Sequence, residues 1–399
     1  MKRREFLRVG GMLAAGTWLA GGPWESARAG SAGAVSGEGP YGPLLDPDDN
    51  GIRLPAGFRS RVLAVSGEEV GATGHTWHGF PDGGASFRVR GGWVYTSNSE
   101  IPLTGGVGAL RFDHEGGIVA AYSILQGTWL NCAGGATPWG TWLSCEEVEI
   151  GNRTGHVYEC DPEGVRPAVL HPAMGGFSHE AVAADPVDRR LYLTEDQPDG
   201  CLYRFTPDGW GDLSSGLLEV ARVTDDGSGG PGGDVDWLPV PIPDPDLAGG
   251  DLPTRRQVPE ATPFDGGEGI VHHDGHIFVS TKGDGRVWDY HPETGSLCTV
   301  YEPALDPGGH LSGVDNLAVS RFGDLYVAED GDNMELVMLT PGGVAAPILR
   351  VEGQDDSEIT GPAFDPWERR LYFSSQRGGP AGAGITYEIT GPFRQRAHC

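Results

Sequence analysis

The stretch Asn131–Glu147 reads N-C-A-G-G-A-T-P-W-G-T-W-L-S-C-E-E. It places Cys132 on a Gly-rich turn and two adjacent carboxylates, Glu146 and Glu147, at the end of an aromatic, Thr-containing run. A soft thiolate and hard carboxylates this close in sequence could hold a transition metal beside a harder cation. Taken alone, the same residues also read as a buried cysteine on a turn and two solvated glutamates. Acidic groups recur along the chain: Asp82, Glu100, His179-Glu180, Glu195-Asp196, Glu268 within G-E-G-I, Asp315-Asn316 and Glu329-Asp330. Glu268 is the sharpest of these, because a charge at a Gly-flanked strand start does nothing for packing. Asp315-Asn316 equally fits an Asx turn, and the acidic pairs at 195–196 and 329–330 fit solvated strand ends. His179 is read as orienting a neighbouring ligand, with a satisfied channel histidine as the plain alternative. Trp139 and Trp142 are read as core.

The elements that must position these groups follow from a repeat. Short β-rich runs end in polar or acidic residues at Trp93–Glu100, Thr141–Glu147, Leu191–Asp196, Ile277–Lys282, Leu325–Asp330 and Leu371–Gln376. Each is preceded by a small-residue or acidic motif with a short strand and followed by a third strand. Successive copies lie roughly 46–50 residues apart, with one gap of about 86. The expected fold is therefore all-β, a six-bladed β-propeller, because one small sheet cannot bury both faces and a ring of them can. A motif at the same point of every repeat then meets its counterparts at the central channel. Several carboxylates there would repel one another and take up protons unless cations neutralised them. The long gap is expected to hold a Gly/Pro-rich inserted loop over 206–263, with Leu217–Arg222 and Trp237–Pro239 packing on the body.

Composition narrows the function classes. The 399 residues include 66 Gly and 31 Pro spread between apolar runs, as tight turns in a β protein require. A net charge of −28 repels nucleic acid and anionic lipid and suits multivalent cations. Lys2-Arg3-Arg4-Glu5-Phe6-Leu7, the apolar run Val9–Ala20 and the A-x-A site at Ala27–Ala29 form a twin-arginine export signal over 1–29. The apolar run is too short to span a membrane. The expectation is a protein passed folded to the twin-arginine export machinery, with Arg3 and Arg4 as its recognition pair, and released into the periplasm or beyond. Residues 30–399 would form one domain. The six cysteines form no CxxC motif, and their pairing is left open.

Several motifs in fixed order resemble the PhoX-type alkaline phosphatase family, in its compact branch, from about Gly91 to Phe393. They are the stretch at 131–147, M-G-G-F-S-H-E-A-V-A-A-D-P, G-E-G-I, D-N-L-A-V-S-R-F-G-D-L-Y-V-A-E-D and the closing G-I-T-Y-E-I-T-G-P-F. The resemblance implies a six-bladed propeller around iron and calcium ions bridged by an oxo group, with substrate phosphate on the metals. By motif, Cys132 and Glu147 resemble cluster ligands, the cysteine on iron, and Glu180, Glu268 and Asp315 match carboxylate ligand positions. Glu195, Asn316 and Asp330 are placed with them, and His179 and Glu146 beside them. The chain departs from the pattern at two points: Gly266 and Gly176 stand where the family often carries arginines that meet phosphate.

The leading expectation is an exported, monomeric, metal-dependent hydrolase of small phosphate monoesters that uses iron and calcium and no side-chain nucleophile. Two rivals are weighed against it. One is a calcium-centred lactonase or phosphotriesterase-like hydrolase, which would not need Cys132. The other is a non-catalytic propeller stiffened by calcium.

Overall fold

The computed structural model describes Trp24 and residues 33–225, 232–330 and 333–394. The export signal with Arg3 and Arg4, the Gly-rich run at 227–231 and Cys399 lie outside the described residues. Trp24 falls within the expected signal but packs with the body: its indole Nε1 donates to the Gly323 carbonyl at 2.7 Å, and its ring meets Phe278.

The described chain is almost entirely β, with two single-turn 3₁₀ segments at Pro172–Met174 and Thr254–Arg256. Among the described residues no helix is long and apolar enough to cross a membrane. The strands form antiparallel sheets in chain order, each built outward from its first strand. The first sheet runs Pro81–Val89, Gly92–Ser99, Gly105–Asp113 and Ile118–Thr128, and the second Asn131–Ala136, Trp142–Glu146, Val157–Cys160 and Val169–Leu170. His179–Asp185, Arg190–Glu195, Leu202–Gly209 and Asp212–Thr224 follow, then Gly267–His273, His276–Thr281, Arg286–His291 and Ser296–Tyr301. Next come Val314–Val319, Leu325–Glu329, Glu335–Leu339 and Val344–Val351. In the last sheet Ile359–Phe364, Arg370–Ser375 and Ile385–Thr390 are completed by Arg59–Val65 from the other end of the chain. Each first strand packs against the first strand of the next sheet, and Ile359–Phe364 returns to Pro81–Val89. The arrangement is propeller-like, with the first strands lining a central channel.

The repeated second strands explain the packing. Their W-V-Y, L-Y-L, I-F-V, L-Y-V and L-Y-F runs bury apolar side chains between neighbouring sheets: Trp93, Tyr95, Tyr192, Phe278, Tyr326 and Tyr372 are each at most 1% exposed. Each such burial contributes about 1.5–3 kcal/mol. The indole of Trp93 donates to the Tyr372 hydroxyl at 2.8 Å, and the rings of Tyr95 and Tyr372 lie 4.7 Å apart, tying the first sheet to the last.

The expectation of an inserted loop over 206–263 is corrected in part. Asp212–Thr224 is the fourth strand of the third sheet, and Gly232–Pro239 pairs with both Asp212–Thr224 and Ser296–Tyr301, joining two sheets into one of nine strands. The alternation in Leu217–Thr224 forms an ordinary strand, and Pro239 sits at a strand end, where a missing N–H is harmless. Only the segment after Pro239 runs without strands to Gly267–His273, as the proline density required.

Candidate metal centre

Every first strand is interrupted by a β-bulge at the same point of its sheet. Two residues on the first strand oppose one on its neighbour at 82–83, 132–133, 180–181, 268–269, 315–316 and 361–362. A bulge re-aims the side chain it carries and increases the local twist. The first bulge residue is Asp82, Cys132, Glu180, Glu268 or Asp315, and in the last sheet Gly361. The second is small or short in each: Gly83, Ala133, Ala181, Gly269, Asn316 and Pro362. The size limit is steric, since a Cβ on Gly269 would lie 2.4 Å from the Leu317 nitrogen and one on Gly83 2.5 Å from the Ala133 Cα.

The residue facing each bulge often ties it to the next sheet. Asn98 donates through Nδ2 to the carbonyls of Cys132 and Ala133, at 3.2 and 2.7 Å. The hydroxyl of Thr194 donates to the Glu268 carbonyl, and that of Ser280 to the Asp315 carbonyl at 2.6 Å. Thr360 Oγ1 donates to the Pro81 carbonyl at 2.8 Å, and the N–H of Gly361 donates to Asn316 Oδ1 at 2.8 Å. The backbone at the bulges is thus fixed by cross-sheet bonds to main-chain groups, which do not use the carboxylates or thiol of the first bulge residues.

Those side chains converge. Four overlapping triads have ligand atoms within 4.8 Å of one another: Asp82–Glu100–Cys132, Cys132–Glu147–Glu180, Glu180–Glu268–Asp315 and Asp315–Asp330–Glu358. Cys132, Glu180 and Asp315 are each shared by two triads, so the groups form one continuous acidic array. Beyond it the channel continues as a cavity of about 390 Å³ lined by the same first strands, including Ala183, Ile270, Leu317 and Ala363.

Burial and mutual repulsion push these acids toward their protonated forms. Glu147 is raised to about 8, by burial first and then by Asp196 and Glu100. Asp315 is raised to about 6 and Glu358 to about 9, again mainly by burial. Glu180 and Glu268 are raised well above the usual carboxylate range by burial and by each other or Asp315, and burial also holds the Cys132 thiol up. Asp330 runs the other way. Burial alone would raise it, but a hydrogen bond from Glu358 and the Lys282 charge together leave it lowered.

Cationic density is what the array needs, and the donor set fits it. Glu180 is fully buried; its Oε1 accepts from Asn316 Nδ2 at 3.2 Å, while its Oε2 has no partner. An orphaned carboxylate oxygen of this kind, shared between two triads, suits a metal ion. The end holding Cys132 combines sulfur with oxygen, as a transition metal prefers; the end holding Asp315, Asp330 and Glu358 offers oxygen alone, as calcium prefers.

The remaining sequence candidates are placed elsewhere. Glu195 is buried and outside the array: it receives Arg255 Nη1 at 3.1 Å, the Tyr203 hydroxyl at 2.7 Å and the Cys201 N–H. Asn316 supports the array with its amide while its oxygen is occupied by Gly361. His179 donates from Nε2 to the Gly175 carbonyl at 2.9 Å and stacks on Phe177, and burial lowers it to about 3, so it is neutral and touches no ligand. Glu146 accepts from the Trp129 N–H and from Arg153 at 2.9 Å. Trp142 is core, as expected, and its indole donates to Asn98 Oδ1. Cys132, Cys145, Cys160 and Cys201 carry free thiols.

Asp82 and Glu100 join the array from repeat positions already noticed; Glu358, Gln376, Arg377 and Lys282 were missed. The bulge of the last sheet carries Gly361, so its carboxylate comes instead from Glu358, just ahead of the strand. Gln376 donates to both Asp82 and Glu100, at 2.5 and 2.7 Å, and Arg377 pairs with Glu358 at 2.9 Å. Lys282 Nζ pairs with Glu268 at 2.8 Å and Asp330 at 3.2 Å.

With this geometry in view, the family described as Alkaline phosphatase PhoX matches residues 85–379. The chain belongs to the PhoX alkaline phosphatase family. PhoX membership accounts for the order of the motifs, and the matched span contains the array except Asp82. No curated protein matches the chain significantly. A structural-genomics protein of unknown function from Bacteroides thetaiotaomicron is similar in fold, with TM-score 0.51 and 10% identity over 83% of this chain and 76% of that one. A gluconolactonase from Xanthomonas campestris aligns over 89% of this chain and 99% of its own, with TM-score 0.48 and 14% identity.

The two departures from the PhoX pattern have structural grounds. A side chain at Gly176 would begin 2.9 Å from Thr154 Oγ1 and 3.0 Å from Asp244 Oδ1, because the segment after Pro239 fills that space. That segment is pinned there by the Gly176 N–H on the Pro243 carbonyl and by the Thr254 hydroxyl on the Gly176 carbonyl. Gly266 has φ +63°, a conformation strained for an arginine, and its carbonyl accepts the backbone N–H of Lys282 at 2.8 Å.

Proposed function

We propose that this protein is an exported, metal-dependent phosphatase that hydrolyses small phosphate monoesters at the mouth of a six-bladed propeller, and that the acidic array holds iron and calcium. The observation that carries the reading is the shared-ligand array of four triads, with one thiol and eight carboxylates against which Lys282 and Arg377 supply two positive charges. Cys132, Glu147 and Glu180 would hold iron, with Asp82 and Glu100 beside them. Glu180, Glu268, Asp315, Asp330 and Glu358 would hold calcium. When bound, the ions supply the Lewis acidity that draws phosphate oxygens and stabilises charge in an in-line displacement.

The chain's own contribution is placement. The bulges fix the backbone under each ligand, and Asn98, Thr194 and Ser280 hold neighbouring sheets in step. Asn316 Nδ2 steadies both Glu180 and Asp315. Gln376 holds Asp82 and Glu100 together.

The export signal supports a route through the twin-arginine machinery, which carries folded proteins and so suits metal loading before export. The strongly acidic surface argues against nucleic-acid partners. The test is elemental analysis of protein purified from an exporting host, paired with turnover of p-nitrophenyl phosphate. Iron with calcium and chelator-sensitive turnover support the reading; calcium alone, or turnover indifferent to chelation, sinks it.

A further inference from the structure

The chain contains two lysines, Lys2 in the export signal and Lys282, and otherwise carries its positive charge on arginine. Lys282 follows the strand His276–Thr281, with Nζ between Glu268 of one sheet and Asp330 of the next. Both partners belong to the array, in adjoining triads. The side chain is 37% exposed, against 31% for Asp330 and 3% for Glu268, so solutes can reach it. Its neighbour in charge is Arg377, 44% exposed, whose guanidinium lies on Glu358.

An ammonium has three N–H donors in a compact head; Nζ forms ion pairs with Glu268 and Asp330, and Asp315 and Asp196 add to the negative field around it. Two ion pairs leave a donor of this partly exposed group for an anion arriving from solvent. A planar guanidinium would engage one carboxylate in a fork; the point charge can bridge two carboxylates and still turn a donor outward. We propose that Lys282 is a substrate-binding residue that donates to a non-bridging oxygen of the phosphoryl group, supplying the local positive charge that an anionic substrate needs at the rim of a carboxylate array. This rests on the phosphatase reading, and it names the anion contact of that site. Gly266, whose carbonyl receives the Lys282 N–H, places the residue beside one of the two positions that lack an arginine.

With only Lys2 and Lys282 in the sequence, on separate peptides, the experiment is direct. Metal-loaded protein is treated with trinitrobenzenesulfonate, with and without millimolar inorganic phosphate, and the peptide containing Lys282 is followed by mass spectrometry. The expected result is that phosphate slows labelling of Lys282 several-fold in loaded protein. In parallel, Lys282→Ala is expected to keep the wild-type metal content while binding inorganic phosphate about tenfold more weakly by calorimetry, and Lys282→Arg to recover part of that loss. Labelling indifferent to phosphate overturns the proposal, as does wild-type phosphate affinity in Lys282→Ala. Loss of metal from Lys282→Ala also overturns it, because the lysine is then only a counter-ion for the carboxylates. Absence of p-nitrophenyl phosphate turnover by the wild type would end the phosphatase reading, yet leave phosphate protection of Lys282 readable, so the two failures are distinct.

Discussion

The hydroxyl of Ser280 donates to the main-chain carbonyl of Asp315 at 2.6 Å, across the boundary between two sheets. Ser280 faces the bulge that carries Glu268, so one buried hydroxyl links the backbone under two ligands. Ser280→Ala is expected to cost about 1–3 kcal/mol by leaving a buried carbonyl under-satisfied. It should also weaken calcium binding. Urea denaturation of metal-free protein, with calcium titration of the same variant, checks both.

Cys132→Ser separates the two metals. Cys132 belongs to two triads, while Glu180–Glu268–Asp315 and Asp315–Asp330–Glu358 offer oxygen alone. Iron affinity is expected to fall at least about tenfold, with calcium retained. Elemental analysis after dialysis decides; equal iron in the variant would place the iron elsewhere.

Glu195→Gln tests whether Glu195 is a ligand or a structural partner. Its carboxylate is engaged by Arg255, Tyr203 and Cys201. The substitution should leave metal content unchanged and reduce stability by about 1–3 kcal/mol, the range for hydrogen bonds to charged groups. A fall in bound metal would restore Glu195 to the array.

Chelated protein should lose stability as pH rises. Glu147, Asp315 and Glu358 have folded-state values of about 8, 6 and 9, above their ordinary 4.5, 3.8 and 4.5. Between pH ~4.5 and ~9 the native state therefore holds protons that the unfolded chain has released. Stability falls by about 1.4 kcal/mol per pH unit for each such proton. The loss runs through that window as pH rises and reverses on acidification. Melting curves from pH 5 to 9 check it, and bound calcium should flatten the slope. A chelated protein that is more stable at pH 9 than at pH 5 would contradict the burial assigned to these acids.

Much of the array was legible because its geometry is repeated. A bulge at one point of each first strand makes the ligand recur beside the same small residues, so Cys132, Glu180, Glu268 and Asp315 stood out in the sequence. Glu358 did not, because Gly361 occupies the bulge of its sheet and the carboxylate comes from the approach to the strand. Lys282 and Gln376 lie just past second strands, where polar residues look like ordinary strand ends. The prolines around 239–246 hid the strand Gly232–Pro239, whose alternation was masked by neighbours that cannot pair. The roles of His179 and Asn316 depend on which atom meets which carbonyl, and spacing does not encode that.

The pairing of Arg59–Val65 with Ile385–Thr390 has a consequence for biogenesis. The sheet bearing the Thr360 contact to Pro81 is finished only by joining the two ends of the polypeptide. A nascent chain that has not yet supplied Ile385–Thr390 leaves Arg370–Ser375 and Arg59–Val65 without the strand that joins them. The sheet that closes the ring against Pro81–Val89 then depends on residues translated late, and a chain truncated before Ile385 is expected to fold poorly and, on the proposed reading, to bind fewer ions than the full chain.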